Sequence, residues 1–161
     1  MNNINIFKAE KKDIKTLYEL INGLAKYERR PQDMTGTVEE LSYWIFDRNI
    51  ATAFIAELDS KPIGYAIYYP IFGSFSAKGK VHLEDIFINE EYRGMGYGKY
   101  FLAKVCEDVL ANGYSGMEWS CLDWNTPSIE FYKKINAEEE TGRVYFGFNK
   151  DDLERMSNTT K

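Results

Sequence analysis

The chain has 161 residues, 44% of them hydrophobic, with 25 acidic against 20 basic side chains and a net charge of −5. That length suits a single domain, residues 1–161, with a core that holds without disulfides or metal; two cysteines and one histidine supply neither a disulfide framework nor a zinc set. No apolar run approaches the roughly 18 residues of a membrane span, and no Lys/Arg cluster carries the glycines and aromatics of a nucleic-acid reader, so neither membrane nor nucleic acid is an expected partner.

Met1-Asn2-Asn3 reads as leading directly into a strand rather than a signal peptide, and Cys106 and Cys121, whose spacing suggests no disulfide framework, agree with an expected cytoplasmic location. Ile4–Phe7 reads as a short strand. Asp13 caps a helix whose stripe Ile14, Leu17, Leu20, Ile21 and Leu24 runs to about Tyr27, where Arg29-Arg30-Pro31 ends it. Thr37 and Glu40 form a capping-box pattern opening a second helix to about Phe46. Ala51–Leu58 and Pro62–Phe72 read as strands joined by Asp59-Ser60-Lys61, and the small, polar stretch Gly73–Gly79 as an exposed loop.

Lys80–Ile88 is expected to be the central strand. Asn89-Glu90-Glu91 breaks it, and Arg93-Gly94-Met95-Gly96-Tyr97-Gly98 follows. Leu102, Val105, Cys106, Val109 and Leu110 then share a helical face out to Gly113. Beyond it, Gly116–Cys121 reads as a strand, Ser128–Ile135 as a short helix and Val144–Phe148 as a closing strand before a polar tail. Strands at the front and helices between the later ones give an α+β, mixed α/β three-layer class.

The unit from Leu83 to Phe101 is strand, glycine turn, helix. The first amides of a helix lack intrahelical partners and sit at the positive end of its dipole, so a turn free of side chains lets phosphate oxygens reach them. Arg93 can add a charge-assisted contact. A P-loop would need Ser or Thr after Gly98-Lys99, where Tyr100 stands, and a glycine where Arg93 stands. A dinucleotide fingerprint from Gly94 would need glycine at Lys99. What remains is R-x-x-G-x-G, which resembles the acetyl-CoA pyrophosphate turn of the GCN5-related N-acetyltransferase (GNAT) family.

Further stretches carry the same resemblance. Leu24-Ala25-Lys26-Tyr27-Glu28, Leu83-Glu84-Asp85 and Asn125-x-Pro127-Ser128-Ile129-x-Phe131-Tyr132-Lys133 are similar in order and spacing to motifs of the diamine (spermidine/spermine) acetyltransferases, including the thialysine acetyltransferase branch. The resemblance covers most of residues 4–156. It implies the acyl-CoA N-acyltransferase fold, a central mixed and mostly antiparallel sheet flanked by helices. It also implies acetyl-CoA as co-substrate with no metal, a small-molecule amine as acceptor, and a homodimer.

Amine acetylation poses one acid–base problem. A primary alkylammonium has a pKa near 10.4, so at pH 7 the neutral nucleophile is scarce by about 3.4 units, or about 4.6 kcal/mol. A base must collect that proton, directly or through water. Strict alternation puts Glu84 on the same side as His82 and Ile86, with Asp85 opposite. The resemblance gives Glu84 the amine contact; the plainer alternative is a strand carboxylate paired with Lys80 or Arg93. His82 is a secondary candidate and more simply a strand residue touching its neighbours.

With pyrophosphate on the turn, a pantetheine arm can run beside Ile86, Phe87 and Ile88, where neighbouring strands splay, and a backbone amide near Phe87 is the expected oxyanion donor, by family analogy. The cofactor set is completed by Arg93, Gly94, Met95, Gly96, Tyr97, Gly98, Lys99, Asn125, Ser128 and Phe131. Tyr132 matches the family's tyrosine acid, donating to the departing thiolate; its alternative is core aromatic packing. Cys106 and Cys121 read as core residues, since direct transfer needs no covalent intermediate.

The resemblance implies Tyr27, Glu28, Glu84, Glu118, Trp119 and Ser120 as substrate-lining residues, Trp119 offering a cation–π face; the plainer alternatives are a polar helix end at Tyr27-Glu28 and an ordinary sheet tryptophan at Trp119. Between Ala137 and Val144 the resemblance weakens, leaving the far end of the amine groove without a counterpart. The expected activity is transfer of acetyl from acetyl-CoA to a primary amine of a diamine, polyamine or thialysine-like substrate. Rivals are acetylation of protein N-termini or lysine side chains and, from another class, a non-catalytic acyl-CoA sensor.

Overall fold

A computed structural model of the chain describes residues 4–160. Met1-Asn2-Asn3, read above as the approach to the first strand, lies outside the described residues. The chain divides into two compact units, one ending at Ser120 and one starting at Cys121.

The first unit is built on a five-stranded sheet in simple sequence order. Strands β1 (Ile4–Lys8), β2 (Thr52–Leu58), β3 (Lys61–Gly73) and β4 (Lys78–Ile88) are successive antiparallel neighbours, and β5 (Met117–Glu118) joins β4 in parallel. The β2–β3 connection is a tight hairpin with Asp59 and Ser60 at φ 50° and 66°, the positive values of a type I′ turn. Strands β3 and β4 extend further into the expected Gly73–Gly79 loop, leaving a turn over 74–77.

Helix α1 (Ile14–Tyr27) packs the expected stripe against one sheet face, with Leu17 and Leu20 joining Ile55, Tyr65, Ile67 and Phe87 in one cluster. Each fully buried aliphatic side chain of this kind stabilises the fold by about 1.5–3 kcal/mol. Asp13 does not cap α1 with its side chain; it accepts from the Glu10 amide at 2.9 Å and holds the preceding 3₁₀ turn. The Thr37–Glu40 capping box opens α2 (Val38–Ser42), which widens into a π turn over Tyr43–Asp47.

Helix α3 (Tyr97–Ala111) belongs to the other face, where Tyr68 donates to Asp108 at 2.6 Å and Lys8 pairs with the same carboxylate at 2.6 Å. One acid on α3 therefore joins β1 and β3. Burial and the bond to Asp108 push the Tyr68 phenol up to about 12, so it remains a donor throughout the physiological range.

In the second unit, Asn125 caps α4 (Thr126–Lys134) by accepting from the Ser128 amide, and Pro127 occupies the first turn, where its missing N–H costs nothing. A last helix, α5 (Lys150–Ser157), replaces the expected polar tail. Its capping box joins Asn149 to Asp152 in both directions.

Three further sequence expectations are corrected. Gly116–Cys121 is a strand only at Met117–Glu118, because β5 pairs with β4 at Val81 and His82 and then parts from it. Lys80–Ile88 belongs to the fourth strand of the sheet, one place from the middle. Val144–Phe148 is not a strand: no described strand pairs with it, and Tyr145 and Phe146 are 86% and 94% exposed. A run of β-favouring residues makes a strand only where a ladder accepts it.

Candidate active site

The pairing of β3 with β4 decides which side chains share a face. Ile67 lies opposite Asp85 and Tyr68 opposite Leu83, so Glu84 is an extra residue with no partner in the register, a β-bulge. Beyond it the alternation changes phase. His82 and Asp85 share the α1 side, whereas Leu83 and Ile86 share the other, which corrects the expectation that Glu84 keeps company with Ile86 and opposes Asp85.

The bulge gathers an acidic group. Asp85 accepts a hydrogen bond from the buried Tyr65 hydroxyl at 3.0 Å, and burial, with help from Glu84 and Glu28, raises its carboxyl to about 6. The Tyr65 phenol is pushed well above its ordinary value by burial first, then by Asp85, Glu28 and Glu84. Burial also raises Glu28, at the C-terminal end of α1, against the opposing influence of Arg30. Tyr69 is raised by burial, then by Glu84 and Glu118. Thus Asp85 and Glu28 act on Tyr65, Glu118 acts on Tyr69, and Glu84 acts on both tyrosines of β3.

Glu84 is exposed, with Oε2 4.0 Å from His82 Nε2, and His82 stacks on Tyr69 with ring centroids 5.2 Å apart. Neither Lys80 nor Arg93 forms the ion pair with Glu84 that its plainer reading required. Glu118 ends β5, and Trp119 and Ser120 follow beyond the strand. Asp85, Tyr65 and Tyr69 are the members of this acidic group that strict alternation does not bring together, because nothing in Leu83-Glu84-Asp85 signals a bulge.

Past His82, β4 has β3 on one side and no strand on the other among the described elements. This leaves the length Leu83–Ile88 with an edge that an extended chain can join. Phe87 itself is a core side chain, so only its backbone is available there. The edge leads into the glycine turn, where Gly94 and Gly96 have φ of 77° and 87°. A Cβ added at Gly94, Gly96 or Gly98 would meet nothing within 4 Å. The turn is therefore glycine-rich for conformation at Gly94 and Gly96, and it leaves open space before the N-terminus of α3.

Met95 and Lys99 are exposed on this turn, whereas Tyr97 is buried and anchors the helix. Arg93 turns back: its Nε donates to the Ile88 carbonyl at 2.8 Å, and its guanidinium lies over the Tyr27 ring at 4.0 Å. Such a cradle fits a pyrophosphate through backbone amides.

In the second unit, Tyr132 lies on α4 beside Phe131, ring centroids 5.4 Å apart, and burial, then Cys121, pushes its phenol up to about 12. A tyrosine so raised is a protonated donor at neutral pH. Asn125 is buried with its side chain on the Ser128 amide, so it shapes the start of α4. Burial raises the Cys106 thiol, the opposite of an activated nucleophile. Among the described residues no cluster of His, Cys, Asp and Glu could hold a metal ion, and no helix is long and apolar enough to cross a membrane.

Residues 14–137 match the family model described as the acetyltransferase (GNAT) family. The chain belongs to the GNAT family. A thialysine N-epsilon-acetyltransferase of Sus scrofa is 30% identical over 150 residues, covering 88% of each chain, and the Mus musculus protein of that name is 28% identical over 98% of this chain and 99% of its own. A human spermidine/spermine N(1)-acetyltransferase-like protein 1 is 28% identical over 98% of this chain and 24% of its own length. In fold, an aminoglycoside acetyltransferase from a soil metagenome superposes with a TM-score of 0.78 at 18% identity, over 91% of this chain and 97% of that one. The open glycine turn, Arg93 to Gly98, lies within the residues 14–137 that match this GNAT model.

Proposed function

We propose that this GNAT protein transfers acetyl from acetyl-CoA to a primary amine of a small cationic substrate, diamine-, polyamine- or thialysine-like. The observation that carries the acceptor class is the acidic group at the bulge of β4, where Asp85 meets the Tyr65 hydroxyl, Glu84 is the extra residue and Glu118 pairs with His82, with Glu28 acting on Tyr65 and Asp85. A surface this anionic favours an ammonium over a neutral or acidic acceptor. Relatives named for thialysine and for spermidine or spermine support the same class.

When bound, acetyl-CoA supplies the acetyl thioester. The amides of Gly94–Gly98 and the start of α3 hold its pyrophosphate, with Met95, Tyr97 and Lys99 framing the turn, and the free edge at Ile86–Ile88 orients its arm. Glu28 and Asp85 attract the ammonium, with Tyr27, Trp119 and Ser120 as further walls. Glu84, exposed to water, takes the proton that the acceptor nitrogen must lose, through water or directly. The Phe87 amide donates to the carbonyl oxygen as negative charge builds there. Tyr132 donates a proton to the departing sulfur and regains one, directly or through water, from the second proton that the nitrogen gives up as the amide forms; Asn125, Ser128 and Phe131 fix the helix that carries it. The reading includes a homodimer, which the family resemblance implies.

The test is thiol release from acetyl-CoA across spermidine, 1,3-diaminopropane, thialysine, lysine, an aminoglycoside and a short peptide. Turnover with the small diamines or thialysine is expected. Turnover with the peptide alone would transfer the assignment to protein acetylation, and none with any amine would leave an acyl-CoA-binding protein.

A further inference from the structure

The arginine of the glycine turn has a second attachment. Its Nε–H donates to the Ile88 carbonyl at 2.8 Å, and its guanidinium carbon lies 4.0 Å from the centroid of Tyr27 and 5.4 Å from that of Phe87. The two rings are themselves 6.4 Å apart. Room for this packing comes from α1: a Cβ at Gly23, one turn before Tyr27, would stand 3.1 Å from Cε1 of Phe87. One half-buried cation thereby joins the end of α1, the end of β4 and the first residue of the turn. A guanidinium suits this position because its plane stacks on a ring while an edge N–H donates in that plane; an ammonium offers no such plane.

We propose that Arg93 is a positioning residue for the acceptor, acting through Tyr27, rather than only a phosphate contact of the cofactor turn. It fixes Tyr27, and with it the adjoining Glu28, relative to Gly94–Gly98, so that the amine wall and the cofactor turn keep one spacing. Stacking over Tyr27 and the bond to the Ile88 carbonyl also hold its positive charge away from open approach, which an ammonium acceptor requires. This rests on the reading that Tyr27 and Glu28 line the amine groove.

The test compares wild type with Arg93→Lys and Tyr27→Leu by calorimetry, using CoA alone and then spermidine in the presence of saturating CoA. Thiol release is measured in parallel with acetyl-CoA and with S-acetylpantetheine, which has no pyrophosphate. Arg93→Lys keeps the charge, so CoA affinity should change less than about twofold, while spermidine binding weakens by roughly five- to thirtyfold, the range of a desolvated cation–π contact. The loss with spermidine should persist when S-acetylpantetheine is the donor. Tyr27→Leu should reproduce it without altering the turn, and the double variant should be little worse than either single one.

A large loss of CoA affinity with unchanged spermidine binding, or a defect that disappears with S-acetylpantetheine, would overturn the proposal and leave Arg93 a phosphate ligand. Wild type that binds CoA but no spermidine would overturn the acceptor reading of Tyr27 and Glu28, and the coupling with it. Spermidine binding equal in all three proteins would overturn the coupling alone.

Discussion

Replacing Asp85 with asparagine should make the protein more stable at neutral pH. The carboxyl rises from 3.8 to about 6, mainly through burial, with Glu84 and Glu28 adding to the rise and the Tyr65 hydrogen bond opposing it. A shift of about 2 units is worth about 3 kcal/mol. The sign follows from proton linkage. A carboxyl that holds its proton more tightly when folded loses it first in the unfolded chain, so the fold loses stability as pH rises from about 4 through 6 and stays lower above that. The Asp85→Asn amide keeps the shape and an acceptor for Tyr65 without the ionisation. The gain should therefore be near zero at pH 4 and reach about 2–3 kcal/mol at pH 7.5, raising Tm by roughly 4–10 °C for a chain of this length. Thermal or urea unfolding from pH 3.5 to 8 measures it. A stability difference independent of pH, or a variant less stable than wild type at pH 7.5, would refute the buried-carboxylate reasoning.

Further variants address the chemistry and the turn. Tyr132→Phe should lower kcat by about a hundredfold or more while acetyl-CoA affinity stays within about twofold; unchanged turnover would remove Tyr132 from the reaction. Glu84→Gln should impair turnover most at low pH, where more of the amine carries the proton that must be lost, and a flat effect from about pH 6 to 9 would argue against a base there. Gly96→Ala forces a side-chain-bearing residue into φ of 87° at the head of α3, so CoA affinity should fall by about tenfold; calorimetry giving wild-type affinity would mean the turn does not hold the cofactor as described.

Much of the fold around the candidate site is readable in the sequence because it is local. The stripe Leu17, Leu20, Leu24 and the Thr37–Glu40 box encode their helices in spacings that need no distant partner, and Gly94 and Gly96 announce backbone that only glycine adopts cheaply. What could not be read depends on pairing. The bulge at Glu84 arises from how β3 and β4 register over their length, and it brings Asp85, assigned by alternation to the opposite face, under Tyr65. Val144–Phe148 has the composition of a strand yet pairs with no described strand, and β5 stops after Glu118 for the same reason. Helix α5 reads as a polar tail because most of its residues are polar, and the structure shows that the Asn149–Asp152 box opens it. The attachment of Arg93 to Tyr27 joins residues 66 positions apart in sequence, beyond any motif's reach.

The reaction product is the most direct test of acetyl transfer to a small amine. Purified protein incubated with acetyl-CoA, spermidine and thialysine, then analysed by mass spectrometry, should yield amine carrying one acetyl group on a primary nitrogen, with free CoA in equal amount. CoA bound tightly with no acetylated amine formed would contradict it.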